Sequence, residues 1–204
     1  YILRKIISKE FKRIESNIMK RNVIYTIFVF IISSGLSQNS STDWPNLNKY
    51  KNNNIDVLSK PKSDKRIVLM GNSITEGWSN FYPEYFMNKD LINRGISGQT
   101  TPQMLIRFKP DVIDLNPDIV VMLAGINDIA ENTGPSSIKM ITDNITSMAK
   151  LAKSHNIKVI LSSILPAYDF PWRPEIKPHY KILKINETLQ EYAIKNGHVY
   201  LDYF

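Results

Sequence analysis

Hydrophobic positions follow two different periods between residues 66 and 204. Short apolar runs at Ile67–Met70, Leu91–Arg94, Ile119–Ala124, Lys158–Ile164 and Val199–Asp202 predict five strands. Three of them are continuous apolar runs, as expected of parallel strands covered on both faces. Between them apolar residues recur every three or four positions. Ser137–His155 carries Ile138, Ile141, Ile145, Met148 and Leu151, and Pro178–Asn196 carries Ile182, Ile185, Leu189, Tyr192 and Ala193, so both segments predict amphipathic helices. Gly197 follows the second as a C-terminal stop. Shorter helices are expected at Asn80–Met87 and Pro102–Asp114, with Pro110 limiting or kinking the latter. Strand and helix alternate throughout, which argues a three-layer α/β domain with a doubly wound, parallel five-stranded sheet and right-handed crossovers.

The preceding residues follow a different pattern. Residues 38–65 are rich in Asn, Ser, Lys and Pro and read as a linker with one turn of helix near Leu47–Leu58. Met19 is followed by Lys20-Arg21-Asn22, an apolar run from Val23 to Ile32, and the small residues Ser33, Ser34, Gly35 and Ser37. That order predicts a signal peptide over 19–37 with cleavage near Ser37/Gln38. The apolar run falls well short of the roughly 20 residues that span a bilayer, so a secreted or periplasmic product without a stable membrane anchor is expected. Residues 1–18 mix basic and apolar side chains ahead of that Met and read as a non-native upstream extension.

Composition narrows the choice of partners. The formal charge is +7, but residues 1–37 hold seven Lys/Arg against two Asp/Glu. The remaining residues hold nineteen against seventeen, only +2, so no nucleic-acid partner is implied. With no cysteine in the sequence, disulfides, zinc-thiolate sites and acylation of a Cys are excluded from these residues. The 66–204 region must therefore be held by its core.

Candidate chemistry gathers at the ends of three predicted strands. Ser73 closes the run Arg66-Ile-Val-Leu-Met-Gly-Asn-Ser73, and the later segments Asn93-Arg-Gly-Ile-Ser-Gly98 and Leu123-Ala-Gly-Ile-Asn-Asp128 each follow an apolar run. In open parallel sheets ligands bind at the carboxyl ends of the strands, so these three segments predict one site. Taken singly, each has another reading. Ser73 could cap a helix, Gly98 could be a turn glycine, and Asn127-Asp128 could cap the next helix.

Together, in this order, they resemble the SGNH hydrolases, the GDSL esterase/lipase family. Its first three blocks match Gly71-Asn72-Ser73-Ile74-Thr75, Gly98 and Gly125-Ile126-Asn127-Asp128. The resemblance runs from Arg66 to the C-terminus and implies a flavodoxin-like SGNH hydrolase fold with no metal or organic cofactor. It also implies that Ser73 is the nucleophile, its own N–H being one oxyanion donor. Gly98 would supply a second backbone N–H, and Asn127 a third donor from its side-chain amide. Asn72 stands where the family most often has Asp. The family's Asp-x-x-His block has no match before Phe204, and none of His155, His179 and His198 has an Asp three residues earlier. The domain therefore reads as incomplete at its C-terminus and, as it stands, without a base. The loop Pro171-Trp172-Arg173-Pro174 is read either as a wall of the substrate site or as a rigid connection.

The expected function is an exported serine ester hydrolase, acting through Ser73 on short acyl, chiefly acetyl, esters of carbohydrate. Its partner would be a small-molecule or carbohydrate ester. A lysophospholipase or thioesterase, and a non-catalytic binding module on the same fold, are the alternatives. No Gly-rich phosphate loop follows the first strand, which leaves a nucleotide binder without support.

Overall fold

The computed structural model describes residues 43–62, 65–87 and 90–204. The chain divides into Tyr1–Thr42 and Asp43–Phe204, and the described residues all belong to the second unit. The expected upstream extension (1–18) and signal peptide (19–37) lie outside them.

The element order is α1 Lys51–Ser59, β1 Ile67–Gly71, α2 Ser73–Phe81, β2 Leu91–Gly95, α3 Thr101–Asp111, β3 Ile119–Leu123, α4 Ile126–Ile129, α5 Ile138–Ser154, β4 Lys158–Ser162, α6 His179–Asn196 and β5 Val199–Leu201. Single 3₁₀ turns lie at Pro83–Tyr85 and Ile113–Leu115. The five strands form one sheet in the order β2-β1-β3-β4-β5, and every pairing is parallel, as the apolar runs predict.

Register assigns the two faces of the sheet. Val68 is level with Ile92 and Val120, and Val120 with Val159. These four, with Met70, Met122 and Leu161, are buried in one core with Met104 and Phe108 of α3, Ile141, Ile145 and Met148 of α5, and Ile182, Ile185 and Leu189 of α6. The alternate residues Leu69, Leu91, Val121 and Leu123 are half-buried. With Trp78 of α2 and Leu201 they line an apolar cavity of about 220 Å³. Helices thus lie on both faces, as a doubly wound sheet requires.

Helix boundaries follow local chemistry. Ser137 caps α5 by accepting from Met140 N at 3.1 Å, and Gly197 ends α6 at φ +70°. The Asn80–Met87 helix is corrected. The helix instead starts at Ser73, directly after the strand, and ends at Phe81, because Pro83 opens a separate 3₁₀ turn. For Pro102–Asp114, a capping box between Thr100 and Gln103 starts α3 at Thr101. Pro110 falls in its last turn, where the break it imposes coincides with the end of the helix.

The linker expected over 38–65 is corrected for its described part. The helix expected near Leu47–Leu58 is present as Lys51–Ser59, but the segment is fastened to the sheet by polar contacts. The Tyr50 hydroxyl donates to Gly95 O. Gln99 Nε2 donates to Pro45 O at 2.7 Å, and Arg94 Nη2 to Asn54 Oδ1 at 2.6 Å. None of these contacts leaves a hydrophobic periodicity, which explains why the sequence pattern does not reveal them. Among the described residues no helix is long and apolar enough to cross a membrane.

Candidate active site

β1 is central, and its last residue, Gly71, is level with Gly95 on one side and Leu123 on the other. The chain therefore delivers Ser73, Gly98 and Asn127 from three adjacent strand ends, two, three and four residues beyond those positions. The first turn of α2 sits directly on β2. A Cβ on Gly95 would lie 2.1 Å from Glu76 N, so only glycine lets the turn that presents Ser73 approach so closely.

Ser73 is the first residue of α2 and is exposed. The cap is Asn72, whose buried side chain accepts from Ile74 N at 3.1 Å, so the capping alternative for Ser73 does not hold. That leaves Ser73 N–H among the open donors at a helix start, and neither it nor Ser73 Oγ has a hydrogen-bond partner among the described residues. Asn72 Nδ2 is buried without a partner.

Gly98 has φ +77°, a conformation glycine adopts without strain. Its carbonyl accepts from Asn132 Nδ2 at 3.0 Å, while its N–H is uncommitted among the described residues. Asn127 is buried within α4 and does not cap it. Its Nδ2 donates one hydrogen to Gln99 O at 2.9 Å, which leaves the second free. Each of the three candidates thus retains one N–H that no described residue uses.

Their neighbours, by contrast, are heavily bonded. Glu76 Oε2 accepts from Ser97 N at 2.8 Å and Ser97 Oγ at 2.5 Å, and Lys49 Nζ lies 3.0 Å from Glu76 Oε1. Burial pushes the Glu76 carboxyl up, but the hydrogen bonds from Ser97 and Lys49 outweigh it and hold the group below its usual range. Asp128 accepts from Thr101 N at 3.0 and 2.9 Å and from Thr101 Oγ1 at 2.6 Å. Burial pushes its carboxyl up to about 6 against these hydrogen bonds. Glu76 ties the Ser73 segment to the Gly98 loop, and Asp128 ties the Asn127 segment to the start of α3.

No histidine is hydrogen-bonded to Ser73. His155 caps α5 with Nδ1 2.9 Å from Leu151 O, and it lines a pocket with Asp118 and Lys158 at the amino ends of β3 and β4, away from Ser73. His198 precedes β5 at the same end of the sheet and stacks on Tyr192, with Nε2 buried and unpartnered; burial lowers its pKa. His179 opens α6 and is exposed. Among the described residues no three His, Cys, Asp or Glu side chains cluster to hold a metal ion.

The loop after β4 leaves from the site's end of the sheet. Phe170 is buried, and Trp172 rests against it with ring centroids 5.4 Å apart while staying 65% exposed. Arg173 Nη2 reaches Glu131 O at 3.4 Å, next to the Asn132 that holds Gly98.

Glu76, Gln99, Arg107 and Asp128 were not assigned roles from sequence. For Arg107 a signal existed: it lies on the face of α3 that carries Met104, Phe108 and Asp111, a charged residue at core spacing.

Comparison with known proteins agrees with the fold. The family model for the GDSL-like lipase/acylhydrolase family matches residues 69–204. A solved structure of a candidate acylhydrolase from Bacteroides fragilis is 47% identical, covering 80% of this chain and 79% of that chain with a TM-score of 0.77. An uncharacterized lipoprotein of Bacillus subtilis is 34% identical over 82 residues, which cover 39% of this chain. An arylesterase of Vibrio mimicus is 28% identical over 116 residues, covering 50% of this chain. The chain spans 34% of the length of the first of these curated relatives and 56% of the second.

Proposed function

Because the chain belongs to the GDSL-like lipase/acylhydrolase family, we propose that it hydrolyses carboxylic esters by acyl transfer through Ser73. The observation that carries this reading is the set of three uncommitted N–H groups, on Ser73, Gly98 and the Asn127 amide, at adjacent strand ends. A tetrahedral intermediate carries its negative charge on the former carbonyl oxygen, and donors fixed before the reaction stabilise it without reorganising. Ser73 Oγ attacks the acyl carbon, the alcohol leaves, and water releases the acid from the acyl-enzyme.

The substrate class we favour is a short acyl ester of a carbohydrate. Support comes from Tyr168 and Trp172, 86% and 65% exposed on the loop after β4, which offer flat apolar rings at the site's end of the sheet. A location outside the cytoplasm is supported by the basic and apolar pattern from Met19 to Ser37 and by the lipoprotein description of the Bacillus relative.

The test is covalent labelling. With the protein expressed from its own gene, a fluorophosphonate should label the wild type, and p-nitrophenyl acetate should be hydrolysed. Ser73→Ala should lose the label and nearly all of the turnover. Labelling that persists in Ser73→Ala would move the nucleophile elsewhere.

A further inference from the structure

A guanidinium in the protein interior must find acceptors for its N–H groups. Arg107, on α3, is completely buried. Its Nε donates to Gln99 Oε1 at 2.6 Å and its Nη1 to Asp111 Oδ2 at 3.0 Å. Nη2 donates to two carbonyls, Gly71 O at 3.1 Å and Arg94 O at 2.7 Å. Asp111 balances the charge and is itself held by Asn54 Nδ2 at 2.9 Å.

The acceptors are the informative part. Gly71 is the last residue of β1, two before Ser73, and Arg94 lies in β2, four before Gly98. Gln99 follows Gly98 directly, and its backbone carbonyl is the one that holds the Asn127 amide at 2.9 Å. One side chain is therefore bonded to the segments that carry Ser73 and Gly98 and, through Gln99, to the residue that orients Asn127.

We propose that Arg107 is a positioning residue for the oxyanion site, an inference that rests on the ester-hydrolase reading above. Its planar fork sets the spacing between the ends of β1 and β2 and the orientation of Gln99, and so fixes the three donors relative to one another. Lysine has the charge but presents its donors from one point on a flexible stem, and it cannot reach Gln99 and both carbonyls together. Misplacing catalytic groups by about 1 Å costs on the order of 100-fold in rate.

The experiment is a double-mutant cycle on the protein expressed from its gene, reading both fluorophosphonate labelling rate and p-nitrophenyl acetate kinetics. Arg107→Lys should slow labelling and lower kcat by about 10- to 100-fold, with KM changed little. Asn127→Ala alone should cost about 100-fold, the usual size for one oxyanion donor. If Arg107 acts through the donors, the double variant loses much less than the product of the two single losses; a purely structural residue, affecting the fold but not the donors, gives losses that multiply. Wild-type labelling by Arg107→Lys, or multiplicative losses, overturns the inference while leaving the ester-hydrolase reading intact. A wild type that neither labels nor hydrolyses refutes that reading, and the inference with it. Should Arg107→Lys show no cooperative thermal transition, Gln99→Met replaces it. That variant removes the Nε acceptor, keeps the carbonyl that holds Asn127, and is judged by the same outcomes.

Discussion

Replacing Asp128 by Asn isolates the one buried carboxylate next to the candidate oxyanion donor Asn127. Asp128 is 1% exposed, and burial raises its pKa from 3.8 to about 6 even though Thr101 N and Thr101 Oγ1 donate to it. A carboxyl whose pKa is higher folded than unfolded binds more protons in the native state between those two values. Stability from this group is therefore full below about pH 4 and is lost as pH rises toward 6. At about 1.36 kcal/mol per pH unit, the loss between pH 4 and pH 7 is about 2–3 kcal/mol. Asn keeps an oxygen for Thr101 and does not titrate, while its NH₂ would need a partner, a cost that does not change with pH. The clean expectation is the trend: from pH 4 to pH 7, Asp128→Asn gains about 2–3 kcal/mol relative to wild type. For a domain of this size that is about 5–10 °C in thermal midpoint. Urea titrations of both proteins across that range measure it. Stability differences that stay constant between pH 4 and pH 7 would refute a raised Asp128 pKa.

Two further expectations concern packing and substrate. Gly95→Ala places a Cβ 2.1 Å from Glu76 N and 2.7 Å from Thr75 C. Both are backbone atoms, so α2 must shift, and urea unfolding should show a loss of about 1–3 kcal/mol together with slower Ser73 labelling. Trp172→Ala should weaken turnover of an acetylated xylo-oligosaccharide about fivefold, roughly the ~1 kcal/mol of one stacking contact, and leave p-nitrophenyl acetate kinetics unchanged. Equal effects on both substrates would remove Trp172 from sugar recognition.

The fold was legible wherever hydrophobic periodicity set it. Val120 and Met122 face the core and Val121 the opposite side, and the apolar run that contains them predicts a strand buried in a parallel sheet. Ser137 and Gly197 announce the ends of their helices through cap chemistry that is local in sequence. The early helix was misplaced because its start is decided by a tertiary contact: Gly95 admits the Ser73–Glu76 turn, and nothing near Ser73 in sequence reports that. For the same reason the Asp43–Ser59 segment read as a linker. Its attachments are a tyrosine hydroxyl, a backbone carbonyl and an asparagine, each meeting a partner forty or more residues away. At the site, the order of Ser73, Gly98 and Asn127 was readable, and the residues that fix them were not.

That division has a physical basis. A hydrogen-bond donor can stabilise a transient oxyanion only if the folded protein leaves it without a permanent partner, yet a free donor on a mobile loop would lose the benefit of being fixed in advance. The structure meets both demands by bonding the neighbouring atoms. Ser73 N–H is left open while Asn72 Oδ1 takes the next amide, and Gly98 N–H is left open while Gly98 O is held by Asn132 and Ser97 N by Glu76. Asn127 spends one amide hydrogen on Gln99 O and retains the other. Some of these bonds lie within a segment, as Asn72 Oδ1 with Ile74 N, and others join one segment to another or to α3 and the loop after α4, as Glu76 with Ser97, Arg107 with Gln99 and Asn132 with Gly98 O. Residues such as Glu76, Gln99 and Arg107 therefore show no spacing motif, since most of their partners are set by the sheet's strand order rather than by sequence separation. Their common signature is polar or charged character at sites the fold largely withdraws from solvent. Those are the positions where a change should alter catalysis more than binding.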